Sequence, residues 1–424
     1  MNSASKKHIG FISTRFAGTD GVSLESTKWA LYLESLGYRC FWYAGQLDKP
    51  QDRSMAVPEA FFNIPENISL NSRLFGSQQR SRETTDEIQR RKEFFKNSIL
   101  DFIRTFELDL LVAQNCLAIP MHIPLGLALS EVITELGIPA IAHHHDFWWE
   151  RSRFLLNAIP DVLATAFPPD LPSIRHVAIN SVNQKELASR RGISASVIPN
   201  VIDFDSPLLK EDDFNRTFRE DFGFTEDDIL ILQPTRVVSR KGIEQALYLV
   251  KQLSLPNAKL LISHSAGDEG PDYFDWIMDT AKQQEIPVYF LYNRVNETRK
   301  YNDKGEKLYT LWDIYPHVDL ITYPSLYEGF GNAFLEAVYF KKPILVNRYS
   351  VYIVDIEPKG FDVVSIDGFL TKAAVSQVRE VLQNPERRRA MVEKNFEIGK
   401  RYFSSLVMEQ NLSNLLNNIF GHGM

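Results

Sequence analysis

The chain has only two cysteines in 424 residues, Cys40 and Cys116. Two isolated thiols make neither a zinc set nor a disulfide framework, so the sequence fits a reducing compartment and reads as cytoplasmic. Long apolar runs are missing too, with nothing approaching the roughly 20 residues that cross a bilayer. At the N-terminus, MNSASKKHIGFIST passes from Lys6 and Lys7 into a glycine-containing strand and a polar loop, which is not the layout of a secretory signal. Positive charge is not in excess. With 47 Lys and Arg against 54 Asp and Glu the formal charge is -7 and the pI is about 5.8. That balance argues against a nucleic-acid partner and weakens docking on an anionic membrane. What remains is an ordinary globular composition, 44% apolar and 24% charged, with aromatics somewhat rich at 12%. A single core stops growing at roughly 250 to 300 residues, so this length predicts two domains.

The order of elements predicts α/β architecture. Residues 8–14 read as a buried strand, followed by the loop RFAGTDG, a helix over 23–36 ended by Gly37, and a strand over 38–44. That is a βαβ opening and implies a parallel sheet. Residues 69–96 are polar and charged and merge into a helix through about Phe106; strands at 109–113, 140–143 and 176–180 and a helix near 125–136 follow. IPNVIDF at 198–204 closes the first series, and 205–228 is a polar hinge region. A second series then begins: a strand at 229–233, the loop PTRVVSRKG, a helix at 243–253, and strands at 259–263, 287–291, 320–323 and 343–347. The polar run 293–309 is expected as an exposed loop or hairpin. Two Rossmann-like parallel-sheet domains are therefore expected at 1–205 and 206–400, with a helix at 401–424 crossing back to the first. Ligands in such folds bind at the carboxyl ends of strands, which predicts a site between two facing domains.

The most informative stretch is YPSLYEGFGNAFLEA at 323–337. Glu328 precedes a helix and Glu336 lies about two turns along it, so both carboxylates can face one side. A carboxylate accepts two hydrogen bonds from a vicinal diol, which suits one acid to a ribose and the other to a hexose. Gly329, Phe330, Gly331 and Asn332 would present backbone N–H groups at a helix N-terminus, where oxygen-rich or anionic ligands bind. The plainer alternative is a helix cap and a solvated helix face. Arg236 and Lys241 lie five residues apart on the loop after the first strand of the second series. Two fixed cations there can hold a pyrophosphate and stabilise charge on it as a glycosidic bond breaks; a solvated basic turn is the alternative. GTDGVSLES at 18–26, with Gly21 and Val22, opens the first helix, but it lacks G-x-G-x-x-G spacing and a Walker lysine. In AHHHDFWWERSRF at 142–154, neighbouring histidines on an extended chain point to opposite sides and cannot all ligate one ion, so no metal site is expected. A histidine hydrogen-bonded to a sugar hydroxyl, with Glu150 and Arg151 reaching an acceptor, fits better. Trp148 and Trp149 either stack on sugars or pack.

With these residues in view, the chain resembles the family 4 retaining glycosyltransferases of the GT-B fold over nearly its whole length. The resemblance rests on Glu328 and Glu336 inside EGFGNAFLE after YPS, on Arg236 and Lys241, on Gly21 and Val22, and on His145 followed by Asp146. IPNVID resembles the family's domain-junction segment, with Val201 where glycine is usual. The resemblance implies metal-independent transfer with retention, no cofactor, and a GDP- or UDP-linked sugar as co-substrate. Glu336 would bind the ribose, Glu328 the hexose, Arg236 and Lys241 the diphosphate, and His145 a hexose hydroxyl; Asn293 and Arg294 would lie near the base. His144, Asp146, Glu150, Arg151 and Asn115 would face the acceptor. HHDFWWER, ISHSAGDEG at 262–270 and LWDIYPHVDLITYPSLYEGFGN resemble a subgroup of small-solute glycoside synthases of the mannosylglucosylglycerate type. That subgroup implies a small polar acceptor, such as a sugar or glycerate derivative, and GDP-mannose or UDP-glucose as donor. The alternatives are a lipid or polysaccharide acceptor, or, from other classes, a GT-B nucleotide-sugar epimerase or a non-catalytic sugar-nucleotide-binding protein.

Overall fold

The computed structural model describes residues 7–18, 20–265 and 272–421. Two compact units make up the chain: everything up to Pro199 together with the stretch from Glu409, and Asn200–Met408.

In the first unit seven strands form one parallel sheet: β1 His8–Ile12, β2 Arg39–Ala44, β3 Ser54–Ala56, β4 Leu110–Gln114, β5 Ala140–His144, β6 Ile174–Ala178 and β7 Ala195–Val197. Their order is β3-β2-β1-β4-β5-β6-β7, so the chain steps outward from β1 one way and then the other. Such a reversal is the Rossmann arrangement. Strands β4 and β5 are buried throughout, as a sheet covered on both faces requires. One covering helix, α1, runs Gly21–Ser35, and Gly37 beyond it is left-handed at φ 92.

Another covering helix, α2, is longer than its composition suggests. It spans Arg82–Phe106, starting well inside the run read as merely polar. Ser81 caps it by accepting from the Thr84 N–H at 3.2 Å; Phe95, Ile99 and Phe102 are buried in the sheet's core, while Ile88 packs into a second cluster with Leu70, Leu74 and Ile123. Charged residues fill the rest of its circumference, which hid the helical period.

The second unit holds six parallel strands, β8 Ile229–Gln233, β9 Ala258–Ile262, β10 Val288–Phe290, β11 Leu320–Tyr323, β12 Ile344–Asn347 and β13 Val364–Ile366, in the order β10-β9-β8-β11-β12-β13. The same outward stepping recurs, with the reversal between β8 and β11. Residues 293–309 carry a small antiparallel ribbon, Lys300–Tyr301 with Lys307–Leu308. Short strands β3, β7, β10 and β13 sit at sheet edges; β10, VYF, falls within the strand read at 287–291, whereas β3, β7 and β13 escape sequence reading because a serine breaks each three-residue run (SMA, ASV, VSI). The C-terminal helical pattern divides into Lys372–Gln383, Pro385–Phe403 and Ser405–Phe420. No helix among the described residues is long and apolar enough to cross a membrane.

Candidate active site

At the carboxyl end of β11 the chain turns through Pro324 and Ser325 to Glu328, then enters helix α3, Asn332–Tyr339. Gly331 makes that entry at φ 128, and a Cβ there would lie 2.3 Å from the Tyr349 hydroxyl, which donates to the Phe330 carbonyl at 2.7 Å. Only glycine fits both demands. After the neighbouring β8, Gly242 turns left-handed at φ 61 into helix α4, Ile243–Leu253, with space for a Cβ closed by the Pro324 carbonyl 2.5 Å away. The two strand-to-helix turns therefore lock together, and they bring Lys241 onto Glu328.

That contact is a buried ion pair between Lys241 Nζ and Glu328 Oε1, with the Arg240 guanidinium 3.6 Å from the other carboxylate oxygen. Burial opposes charge on Glu328, but Lys241 and Arg240 hold its carboxyl below the ordinary range. Burial lowers the Lys241 ammonium against the pull of Glu328, and Arg240 and Arg236 add to the lowering. Arg236 itself is exposed. Glu336, half-buried on α3, accepts from the Tyr315 hydroxyl at 2.9 Å and from Trp312 Nε1 at 3.3 Å. Tyr315 is fixed by stacking on Phe340 at 4.6 Å. Asn332 Oδ1 accepts from Asn200 Nδ2 at 2.8 Å, which ties the start of α3 to the segment after Pro199. Phe330 turns its ring into the core, 5.5 Å from Phe403.

The Arg294 side chain is held within the second unit. Its guanidinium donates to the Lys307 carbonyl at 2.7 Å, approaches Glu306 and Asp221, and lies over Phe222. The side chain is thus engaged in holding the ribbon region, while Asn293 beside it is exposed.

In the first unit, β5 ends in the histidine run, and strand alternation separates its members. His143 stacks on Trp29 at 4.2 Å and bonds Gln114 at 2.9 Å. His145 lies 4.6 Å from the His143 ring. His144 instead is fully buried and bonds His176 at 2.9 Å, packed beside Phe147. His144 is therefore a core residue, in place of the acceptor contact expected of it. Glu150 is likewise engaged locally, accepting from the Phe147 N–H and from Asn183 at 3.2 Å. Trp148 bonds the Phe167 carbonyl at 3.0 Å, and Trp149 stacks on Phe147 at 4.5 Å, so both tryptophans pack.

The remaining residues form one connected group. Asn115, left-handed at φ 58, accepts from the His145 N–H at 3.0 Å and donates to Asp146 at 2.8 Å. Arg151 pairs with the other Asp146 oxygen. Burial pushes His145 down to about 4, against the pull of Asp146 and Asp20, so the ring is neutral at neutral pH. Its Nε2 is buried without a hydrogen-bond partner, an uncommon state for a polar atom that ligand binding would relieve. At the start of α1, Asp20 accepts from the Val22 and Ser23 N–H groups at 3.2 and 3.4 Å. Val22, Asn115 and Arg151 line a cavity of about 170 Å3 in this unit.

Residues 214–397 match the family described as Glycosyl transferases group 1. Mannosylglucosylglycerate synthase of Thermotoga maritima is 32% identical, over 96% of this chain and 98% of that protein. The chain belongs to the group 1 glycosyl transferases. Mannosylglucosylglycerate synthase of Petrotoga mobilis is 31% identical over 84% of this chain and 86% of its own. Among solved structures, Anabaena HepE in complex with UDP-glucose superposes with a TM-score of 0.64 over 97% of this chain and 99% of that one, at 13% identity, a likeness of GT-B fold.

For this glycosyltransferase, sequence reading passed over several side chains at the same place. Tyr315 and Trp312 orient Glu336, and Arg240 reaches Glu328. His264, bonded to Ser263 at 2.7 Å, has its pKa lowered by burial and by Arg236 and Lys241, which puts it beside those cations. ISHSAGDEG contained it, but residues 266–270 of that segment lie outside the described residues. Tyr315 and Trp312 lie within the quoted segment LWDIYPHVDLITYPSLYEGFGN, but nothing in it says that their side chains meet Glu336, 21 and 24 residues away.

Proposed function

We propose that this glycosyltransferase is a metal-independent retaining enzyme of family 4, moving a hexose from a nucleotide diphosphate to a small polar acceptor of the glucosylglycerate kind. The observation that carries the reading is the Lys241–Glu328 ion pair next to Arg240 and Arg236, with Glu336 oriented nearby by two donors. Cations held in that way suit a diphosphate leaving group, and preset donors need little reorganisation when charge develops. The likeness to two mannosylglucosylglycerate synthases favours mannose, and so GDP-mannose, as donor; UDP-glucose is the other candidate.

In this reading Glu336 accepts from the ribose diol, its carboxylate held in place by Tyr315 and Trp312. Arg236 and Lys241 hold the diphosphate, with Gly21, Val22 and the Gly329–Gly331 backbone close to the donor. Glu328 takes a hexose hydroxyl and keeps Lys241 charged. Neutral His145 offers its unpartnered Nε2 to a second hydroxyl. The bond from the anomeric carbon to the β-phosphate oxygen breaks, the acceptor oxygen bonds to the anomeric carbon on the same face, and its proton passes to the departing diphosphate. No separate base is needed.

The test is incubation of the protein with glucosylglycerate and either GDP-mannose or UDP-glucose, with the new anomeric linkage assigned by NMR. An α-linked product from an α-linked donor supports the reading. A β-linked product overturns retention, and donor epimerised without transfer overturns the transferase assignment.

A further inference from the structure

Resting on that reading, we propose that the cavity of the first unit receives the carboxylate end of an acidic acceptor and that Arg15 is the residue that reads it. Arg15, Arg151 and Asp20 are the charged residues on its wall. His122, also on the wall, is neutral: burial and Arg91 lower it to about 3, its Nε2 sits 2.9 Å from the Glu59 carbonyl, and its Nδ1 accepts from the Leu125 N–H. Asp146 neutralises Arg151 from behind and Asp20 touches Arg15 at one corner, so what the wall offers a carboxylate is the set of remaining N–H donors of Arg15.

The two arginines differ in what they have left to give. Arg151 directs both its Nε and a terminal nitrogen at Asp146. Arg15 has a single ionic contact, 3.2 Å to Asp20 Oδ2, and lies over the Phe62 ring at 5.6 Å. Asp20 is itself committed to the start of α1, its Oδ1 accepting from Val22 and Ser23 N–H groups and its Oδ2 from the Ser23 hydroxyl at 2.6 Å. Arg15 is thus a guanidinium anchored at one corner, with further N–H donors for a carboxylate in the bidentate geometry that guanidinium favours. Asn115 both lines the cavity and accepts from the His145 N–H. An acceptor anchored by its acid at Arg15 then extends its sugar towards His145, where the reaction is placed. The substrate class is a sugar glycosidically linked to a short hydroxy acid, and neutral polyol glycosides are discriminated against because they leave the N–H donors of Arg15 not taken by Asp20 without a charged acceptor.

The experiment compares glucosylglycerate with glucosylglycerol, which replaces the carboxylate by a hydroxymethyl group, in wild type and Arg15→Gln. Wild type is expected to favour the acid in kcat/KM by about 10- to 100-fold, the worth of one charged hydrogen-bonded contact. Arg15→Gln should remove that preference by raising KM for the acid far more than KM for glucosylglycerol, and Arg15→Lys should restore part of it. Retention of the preference in Arg15→Gln overturns the assignment, as does an equal loss on both acceptors. Stabilisation by GDP, measured in the same variant, reports whether fold and donor site are intact. Transfer by wild type to neither compound overturns the functional reading itself, and this assignment with it.

Discussion

At the scale of single residues, the donor and reaction roles separate into two variants. Glu336 touches the nucleotide in the proposed reading, so Glu336→Ala should weaken GDP binding by about 10- to 100-fold, the cost of losing hydrogen bonds to a charged group. His145 touches only the hexose, so His145→Ala should lower kcat by a similar ~10- to 100-fold while changing GDP affinity less than about two-fold. Titration calorimetry and initial rates check both, and normal turnover in the pair would refute the site. Much of the proposed site is legible from residue types: Glu328, Glu336, Arg236 and Lys241 stand out by spacing, and His145 through the family resemblance. What spacing does not convey is partnership across 87 residues, as between Lys241 and Glu328. It also does not say which member of AHHHD lies beside Asn115 and the cavity. His144 resembles its neighbours in sequence, yet the two-residue period of β5 turns it into the core against His176.

At the scale of elements, the strand-to-helix turns position the chemistry. Gly331→Ala adds a Cβ 2.3 Å from the Tyr349 hydroxyl at a backbone angle of φ 128, so it should destabilise the protein by about 1–3 kcal/mol and disturb Glu328 and Glu336 together. Chemical denaturation with a parallel GDP titration checks both effects; an unchanged midpoint would show that α3 can re-enter by another route. The central strands were plain in the sequence, since β8 and β11 are unbroken apolar runs bounded by turn residues. Edge strands β3, β7 and β13 were not, because a serine interrupts each of these three-residue runs, whereas the equally short edge strand β10, VYF, is wholly of strand-forming residues. Helix α2 was obscured by the reverse effect, a charged circumference covering a narrow apolar stripe.

At the scale of the whole molecule, buried neutral histidines couple stability to pH. Burial drives His122 to about 3 and both His145 and His176 to about 4, against an ordinary value of 6.5. The unfolded chain therefore binds protons that the folded one refuses as pH falls from about 6.5 towards 4, so their contribution to stability is complete above 6.5 and is lost across that window. A fall in the urea midpoint between pH 6.5 and 5, above the range where most carboxylates titrate, is the expected result. An invariant midpoint there would contradict the burial of these rings as neutral groups. The central proposal, a nucleotide-diphosphate site built around Lys241, Glu328 and Glu336, is tested most directly by thermal unfolding with saturating GDP, UDP and ADP in parallel. Stabilisation by GDP above the other two, of about 2.7 kcal/mol at a hundred times the dissociation constant, and lost in Glu336→Ala, is the predicted outcome. No shift with any of the three would contradict the donor site and the transferase reading built on it.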